Sequence, residues 1–393
     1  MMPPATIRCD VLVVGCGFAG ISAAVRAARE GAQTILLEKD GFPGGAAVAG
    51  MHRFICGLYP NGGEIPASTL NGGIAAELCS KLRQLAPARE VQRVGKVHVL
   101  PCATRELVSS LRWLCEGEKG LKVLYNRKAV SVRMEQRSIA SVTVQERHRE
   151  LHIAPRAVVD CSGDAVIIQM SGVPYRAPPL IGRQLAGYAF RVKGLRNPDE
   201  LLPLRVPYHL ARAVAEKKMP AHLKLTTYTP GDDPDEGICR LNLPPLGVNR
   251  DARARDQALL VHRYLSRVLD SFEGSEISET SPRVVDREGP RLCGEYTLTE
   301  EDVLGARRFP DGTVRNAWPI EFWDEERGPS YRYLAPGDYH EIPLRCLKAR
   351  DISNCWCAGR CISATRQALA STRVIGTCIA LGEEAGRAAA HRI

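Results

Sequence analysis

Hydrophobic and polar residues follow a pattern along the first 38 positions that changes period twice. Residues 10–14 form a short apolar run with β-branched side chains, which is typical of a strand buried on both faces. Small and apolar residues recur at helical spacing over residues 19–32, and a second apolar run covers residues 34–37. This part of the chain is therefore predicted to fold as strand, turn, helix and strand, with Glu38 at the end of the second strand.

The turn before the predicted helix carries Gly15, Gly17 and Gly20. In dinucleotide-binding folds the first glycine permits the tight turn, the second lets the backbone approach a pyrophosphate, and the third lets the helix pack close to the strand. Free N–H groups and the helix dipole favour phosphates there, and an acid such as Glu38 accepts hydrogen bonds from ribose hydroxyls. The pattern predicts a dinucleotide site, with FAD and NAD both open, against the alternative of chance glycines in an ordinary turn.

The rest of the first 173 residues shows the periods of further helices and of an antiparallel meander. Helices are predicted over residues 74–85 and 104–117, and strands over residues 121–125, 128–134, 139–146, 150–153 and 157–160. The last strand enters a turn of small residues that ends at Asp164, which is a second candidate nucleotide contact. Two such turns favour a flavoprotein over an NAD dehydrogenase.

The composition shifts near residue 174, where prolines become frequent and are expected to break long regular elements. Strands over residues 187–192, 223–229 and 237–243 and a helix over residues 252–272 are predicted in this segment. The chain then returns to strand, glycine turn and a final helix that ends near residue 390. We therefore predict an α/β fold. Residues 1–173 and 338–393 form a Rossmann-like domain with a parallel sheet and a β-meander, and residues 174–337 form an inserted α+β substrate domain.

Charge and cysteine content bound the class of protein. The chain of 393 residues has a net charge of +9, with arginines and acids interleaved, which favours solvated faces or an anionic substrate over nucleic acid. Its 14 cysteines are scattered, and the densest group, Cys355, Cys357 and Cys361, has no second cluster at metal-site spacing, so reduced thiols and no metal are expected. No apolar run suits a membrane span, and the N-terminus has no signal core, so we expect a cytoplasmic protein.

Several segments resemble those of the FAD-dependent oxidoreductases related to the fumarate reductase and succinate dehydrogenase flavoproteins. They are residues 294–303, 358–365 and 373–378, together with the glycine turn, Gly44-Gly45 and residues 160–164. The resemblance implies an extended FAD. It implies cofactor contacts at Gly15, Gly17, Phe18, Ala19, Gly20, Glu38, Lys39, Gly44, Gly45, Ala46, Val130, Gly163, Asp164, Gly359, Arg360, Gly376, Thr377 and Cys378.

The resemblance also implies a role for each group of contacts. The first glycines meet the pyrophosphate, Glu38 the ribose and residues 44–46 the isoalloxazine. The backbone of Val130 meets the adenine, and residues 376–378 lie at the pyrimidine edge of the flavin. Asp164 and Gly359 meet the central linker and the ribityl chain.

One departure from the resemblance concerns covalent attachment. Succinate dehydrogenases bear a histidine that bonds to the flavin, and Ala47 stands at the matching position here. Non-covalent FAD is therefore predicted, with His52 and Cys56 left open as substitutes.

Candidate catalytic residues are less well defined by the sequence. Arg373 falls where similar fumarate reductases carry an arginine that binds the substrate carboxylate, although a helix-capping arginine is the alternative. Arg291, Tyr339 and His340 are further candidates for binding or proton transfer, against the alternative of structural residues.

The predicted function is an FAD-dependent oxidoreductase that moves a hydride between flavin N5 and a carbon of a small organic substrate, in either direction. The positive charge favours an anionic substrate. The partners expected are this small molecule and a separate electron donor or acceptor, without a membrane or nucleic acid, while a homo-oligomer is left open. An FAD-containing tRNA-modifying protein and a non-catalytic flavin-binding subunit are the alternatives.

Overall fold

Strands occur throughout the chain. The computed structural model describes residues 6–147 and 149–392. The strands are β1 (Thr6–Val14), β2 (Thr34–Leu37), β3 (Phe54–Ile55), β4 (Gln92–Val94), β5 (Val97–Pro101), β6 (Leu121–Leu124), β7 (Lys128–Glu135), β8 (Ser138–Glu146), β9 (Arg149–Asp160), β10 (Tyr175–Arg176), β11 (Ala186–Lys193), β12 (Thr227–Pro230), β13 (Gly237–Leu243), β14 (Glu276–Thr280), β15 (Arg291–Leu292), β16 (Gly312–Asn316), β17 (Ile320–Asp324), β18 (Gly328–Arg332), β19 (His340–Pro343) and β20 (Cys355–Cys357).

Helices are interspersed with the strands. They are α1 (Phe18–Arg29), α2 (Gly45–Ala49), α3 (Gly73–Leu85), α4 (Thr104–Glu116), α5 (Val166–Met170), α6 (Leu202–Ala215), α7 (Arg250–Val268), α8 (Glu300–Leu304), α9 (Arg366–Thr372) and α10 (Ile375–Ala390). Short 3₁₀ turns cover Ala221–Leu225, Asp270–Phe272, Leu344–Cys346 and Gly359–Cys361.

The main sheet has the order β6-β2-β1-β9-β8-β7, with β20 also paired to β9. Strands β6, β2, β1, β9 and β20 run parallel, and β7, β8 and β9 form an antiparallel meander. Residues 11–14 of β1 are buried because β1 lies inside the sheet and helices cover it. The predicted Rossmann-like α/β fold with a parallel sheet and a β-meander is confirmed.

Strand β9 is longer than predicted. The prediction of separate strands over residues 150–153 and 157–160 is wrong, because β9 pairs with β1 from His152 to Asp160. On its other side the first half of β9 pairs with β8 and the last three residues with β20. Pro155, which has no N–H to donate, falls in the gap between these two partners and so does not interrupt the strand.

A second sheet, with the antiparallel order β12-β13-β11-β14, has its own core. This core includes buried residues of α6 and α7, such as Leu210 and Leu265. The expectation that prolines prevent a long helix here is wrong for α6. Pro203 lies in its first turn, where a free N–H has no partner in any case, and Pro207 costs one hydrogen bond that the buried apolar face offsets. The strand predicted to begin at residue 223 begins at Thr227.

The core of the main sheet also takes in residues far along the chain. Leu298, Val303, Val314 and Ile342 pack in the same hydrophobic cluster as β1 and α1. The division of the chain at residues 173 and 337 stays a prediction.

Three expectations from the sequence concern the thiols, a metal site and membrane spans. All 14 cysteines are free thiols. In residues 6–147 and 149–392, no three His, Cys, Asp or Glu side chains are grouped to hold a metal ion. None of the helices described is both long enough and apolar enough to cross a membrane.

Candidate functional site

The glycine turn between β1 and α1 forms the first part of the site. Gly15 adopts a φ of 101°, a conformation that suits glycine, and α1 begins directly after Gly17. The buried carboxylate of Glu38 accepts hydrogen bonds from the backbone N–H of Cys16 at 2.7 Å and of Asp40 at 2.9 Å. Open space lies beside Gly17, where an added Cβ has no neighbour within 4 Å. The turn and its acid therefore fit a dinucleotide pyrophosphate and ribose.

Two further turns meet at the carboxyl ends of β9 and β20, which are neighbours in the sheet. Arg360 donates from Nε to Gly163 O at 2.9 Å and from Nη2 to Asp164 Oδ1 at 2.8 Å. Gly359 begins the short turn that carries Arg360. The structure thus brings together four of the predicted cofactor residues at the edge where parallel sheets bind ligands.

Residues 44–57 connect the glycine turn to the start of α10. Gly44 N–H donates to Cys16 O at 2.7 Å, and Gly376 N–H donates to Cys56 O at 2.8 Å. Gly45 and Ala46 lie in the first turn of α2, and Thr377 and Cys378 lie in the first turn of α10. The residues predicted to line the two ends of the isoalloxazine are therefore joined by one short segment.

The remaining predicted contacts lie near Glu38. Arg127 N–H donates to Glu38 O at 2.8 Å, which places the start of β7 beside the predicted ribose site. Val130 lies at a bulge and has no partner in β8, so its backbone groups are available, as the predicted adenine contact requires. The exposed Lys39 forms an ion pair with Asp40.

Three arginines converge near His52, and we call Arg240, Arg287 and Arg373 the arginine cluster. They come from β13, from the segment between β14 and β15, and from the residue that follows α9. Burial lowers the pKa of each, to about 10 for Arg240 and to about 9 for Arg287. Such shifts mark positive charges that are held away from water.

The arginine cluster bonds to neutral groups. Arg240 donates to Met51 O at 3.2 Å, and Arg287 donates to Leu185 O at 2.6 Å. Arg373 donates to Glu321 O at 3.1 Å, while its buried Nε has no partner in the described part of the chain. Across residues 6–147 and 149–392, no salt bridge is formed by any member of the cluster. The cluster therefore holds positive charge that an anion can neutralise.

An aromatic hairpin, β17 and β18, flanks the arginine cluster. The guanidinium of Arg287 lies 4.4 Å from the ring centroid of Trp323. Trp323 Nε1 donates to Glu321 Oε1 at 2.6 Å, so this carboxylate is held by a neutral donor. Burial and, to a smaller extent, the nearby charge of Glu321 raise the pKa of Tyr331 to about 12. The site thus combines guanidinium groups with flat apolar surfaces.

The other predicted catalytic residues have different surroundings. Arg291 is buried and donates from Nε to Ala364 O at 3.1 Å. The ring of Tyr339 packs against Arg308 at 3.6 Å. The buried ring of His340 hydrogen-bonds to Asn316 Nδ2 at 2.9 Å, and burial lowers its pKa to about 4. None of these contacts joins the three residues to the arginine cluster, and their catalytic roles stay predictions.

Sequence reasoning missed two of the three arginines of the cluster and the position of His52 beside it. Arg240 carried a usable signal, because it is a charged residue inside the otherwise largely apolar strand β13. Arg287 carried none, since it lies in an irregular segment between two strands. The sequence offers His52 only as a substitute for the covalent attachment residue.

The sheet and its three turns define a flavin-binding fold. The sequence model of the FAD dependent oxidoreductase family matches residues 10–393, and the chain belongs to this family. The protein is thus an FAD-dependent oxidoreductase enzyme, and FAD is its cofactor. The residues at the strand ends are those that would hold it.

Comparisons with individual proteins give weaker similarity than the match to the family model. No curated protein matches. Among solved structures, the chain is similar to OxyS anhydrotetracycline hydroxylase from Streptomyces rimosus, with 13% identity, a TM-score of 0.45, and coverage of 74% of this chain and 55% of that one. It is also similar to a geranylgeranyl bacteriochlorophyll reductase-like protein from Thermoplasma acidophilum, with 11% identity, a TM-score of 0.46, and coverage of 98% of this chain and 78% of that one. The flavin-dependent brominase Bmp2 is similar at 13% identity, with a TM-score of 0.48 and coverage of 98% of this chain and 78% of that one. The chain spans about half the length of OxyS.

Proposed function

We propose that this enzyme oxidises a small organic anion at carbon, or carries out the reverse reduction. The observation that supports the proposal is the arginine cluster, which is buried and lacks salt bridges in residues 6–147 and 149–392. When bound, FAD supplies the acceptor or donor of a hydride. The protein's own residues bind and orient the substrate and handle its proton.

An anionic ligand follows from the cost of unpaired buried charge. A buried cation is strongly unfavourable unless an opposite charge or good hydrogen bonds compensate it. Carbonyl oxygens supply only part of that compensation for Arg240 and Arg287. A carboxylate or phosphate accepts two parallel hydrogen bonds from one guanidinium group, which suits a cluster of arginines rather than lysines.

The position of Arg373 supports binding beside the flavin. Arg373 follows α9 and precedes α10 by a single residue, Val374. The positive end of the α10 dipole and the guanidinium therefore favour negative charge in the same region. This arrangement supports the hypothesis that the enzyme is related to the fumarate reductase flavoproteins and that Arg373 binds the substrate carboxylate, as the matching arginine does in them.

The origin of the arginines also supports the proposed domain arrangement. Arg240 and Arg287 belong to residues 174–337, whereas Arg373 belongs to the proposed FAD-binding domain. We propose that residues 174–337 form the substrate domain, which contributes two of the three anion-binding side chains. Residues 1–173 and 338–393 then form the domain that holds FAD.

Non-covalent attachment of FAD is part of the proposal. Ala47 has no group that can bond to the flavin. Burial raises the pKa of the Cys56 thiol, which keeps it protonated and a poor nucleophile. Acid precipitation should release the yellow flavin into the supernatant as FAD, whereas colour retained in the pellet would show a covalent bond.

The proposal also covers the partners of the enzyme and its location in the cell. We infer a small-molecule substrate, a separate electron donor or acceptor, a cytoplasmic site, and no role for membranes or nucleic acid. A homo-oligomer is compatible with the proposal. The free thiols support a reducing compartment.

A redox screen tests the proposed function. The oxidised holoenzyme, kept without oxygen, is mixed with hydroxy acids, saturated dicarboxylates and phosphate esters, each paired with a neutral amide or alcohol of the same shape. Reduced holoenzyme is mixed with the corresponding unsaturated or keto compounds. We expect the visible flavin band to bleach or return with anionic members only. Equal rates with the neutral members would overturn the role of the arginine cluster.

A further inference from the structure

The backbone before His52 has a strained conformation that places its ring. Met51 is buried and adopts a φ of 51°, which is uncommon for a residue other than glycine and accumulates at functional sites. The carbonyl of Met51 accepts the hydrogen bond from Arg240 Nη2. A Cβ added at Gly50 would lie 3.1 Å from His52 Cδ2 and 3.3 Å from Nε2. The ring is thus held closely against the backbone that leads into it.

The ring nitrogens of His52 are available to a ligand. His52 is half-buried, and none of the side-chain hydrogen bonds within residues 6–147 and 149–392 involves its ring nitrogens. By contrast, both nitrogens of His340 are engaged, with Asn316 and with Glu341 O. A polar ring with free nitrogens beside three guanidinium groups is suited to exchange a proton with a bound substrate.

The charges around His52 set its protonation. Burial lowers the pKa of the imidazole well below its usual value, and the arginine cluster lowers it further. Glu321 faces Arg287, Arg373 and Cys56, while the Cys56 thiol on the same segment as His52 stays neutral. Tyr331 also stays neutral, because burial raises its pKa. Without a ligand, positive charge therefore dominates around the ring.

We propose that an anion in the arginine cluster raises the proton affinity of His52, and that His52 is the acid–base residue of the redox reaction. The inference rests on the proposed function, because the anion is the substrate. The bound negative charge offsets the guanidinium groups and so removes the part of the obstacle to an imidazolium ion that comes from their charge, while the part that comes from burial remains. Proton affinity at His52 is thereby coupled to occupation of the site.

Each turnover moves one hydride and one proton between the substrate and the enzyme. In the oxidation, bound FAD would supply the acceptor for the hydride of the substrate carbon, and a ring nitrogen of neutral His52 would accept the proton of the adjacent O–H or C–H group. The electron pair of that second bond becomes the new C=O or C=C bond. When the product leaves, the arginine cluster again disfavours the imidazolium ion, and the proton passes to solvent. The reduction runs through the same transfers in reverse.

Histidine NMR of the FAD-bound enzyme tests the inference. The ring of His52 is titrated with pH in the absence and presence of malonate, and flavin absorption reports malonate binding independently. The His52 signal is assigned by its loss in His52→Gln, with His262→Gln as the matched control on α7. If His52→Gln does not hold FAD, the signal is assigned by its shift in Arg373→Met.

The expected result is an apparent pKa below about 6.5 without malonate that rises by about 1 at saturation. Malonate that perturbs the flavin band but leaves the His52 titration unchanged would overturn the inference and leave the proposed function intact. If malonate, succinate, sulfate and phosphate all fail to bind, both this inference and the proposed function are overturned. With a substrate found in the redox screen, His52→Gln should slow flavin reduction by about 10²–10⁴-fold with a smaller change in substrate Kd.

Discussion

Thr377 donates a hydrogen bond from Oγ1 to Oδ1 of Asn316 at 2.6 Å, and both residues are fully buried. Asn316 ends β16, and its Nδ2 donates to Ser371 Oγ at 2.7 Å as well as facing His340. One amide side chain therefore holds the first turn of α10, where the flavin pyrimidine edge is proposed to lie. This bond fixes the helix that follows Arg373.

Replacing this amide should destabilise the enzyme. Asn316→Leu keeps a similar volume but leaves the buried Thr377 hydroxyl and His340 Nε2 without this partner, while Ser371 keeps its bond to Trp318 O, and we expect a cost of about 2–4 kcal/mol in the free energy of unfolding. Urea unfolding of the holoenzyme measures the loss, and FAD release should accompany it. Gln145→Ala on the exposed face of β8 should stay within about 0.5 kcal/mol of the wild type. Equal stability of the two variants would contradict this role for Asn316.

The buried His340 should make stability fall in mild acid. Its pKa is about 4 in the folded enzyme and about 6.5 in the unfolded chain, so the unfolded state binds more protons between these values. Stability therefore rises with pH through this window and is lost as the pH falls. Between about pH 7 and about pH 5 this one group should cost about 2 kcal/mol.

The measurement compares urea unfolding of the wild type and His340→Gln at both pH values. The glutamine keeps an oxygen that can accept from Asn316 but does not titrate. Contributions from other histidines with lowered pKa, such as His209 and His262, are the same in both proteins and cancel. The same pH dependence in both would show that His340 is not responsible.

A charged network joins the two proposed domains. Asp232 Oδ1 accepts from Arg53 Nη1 at 2.7 Å and from Arg89 Nη2 at 2.6 Å, and Arg89 also pairs with Glu106. Asp232→Asn should leave two largely buried guanidinium groups undercompensated, and we expect a loss of about 1–3 kcal/mol. Asp233→Asn, on the adjacent exposed residue, is the control. Urea unfolding and limited proteolysis should both separate the two variants, and matching behaviour would argue against a structural role for the network.

The fold was predictable from sequence where its causes are local. The glycine turn, α1 and Glu38 follow one another in the chain, so spacing alone indicated their arrangement. The continuity of β9 depends on its pairing with β1, more than 140 positions away in sequence. The local pattern around Pro155 does not indicate that the strand continues there. The helix α6 forms despite two prolines because its buried face packs on a sheet that the local sequence does not specify.

The candidate site was predictable only in part for the same reason. Predicted cofactor contacts such as Asp164 lie in turns that follow strands and share an edge of the sheet. The arginine cluster and His52 come from four separate segments that only the folded chain brings together. Arg373 was found through a family resemblance, but its neighbours Arg240 and Arg287 depend on tertiary structure.

Calorimetric titration of malonate into the FAD-bound enzyme tests the central claim most directly. The wild type is compared with Arg240→Met, Arg287→Met and Arg373→Met, in which methionine keeps much of the apolar stem but removes the charge. Arg133→Met, at an exposed arginine of β7, is the matched control. We predict that each change in the arginine cluster weakens malonate binding by about 10-fold or more, with the control unchanged. Binding of equal strength in all five proteins, or no binding of any small anion to the wild type, would contradict an anionic substrate held by these arginines.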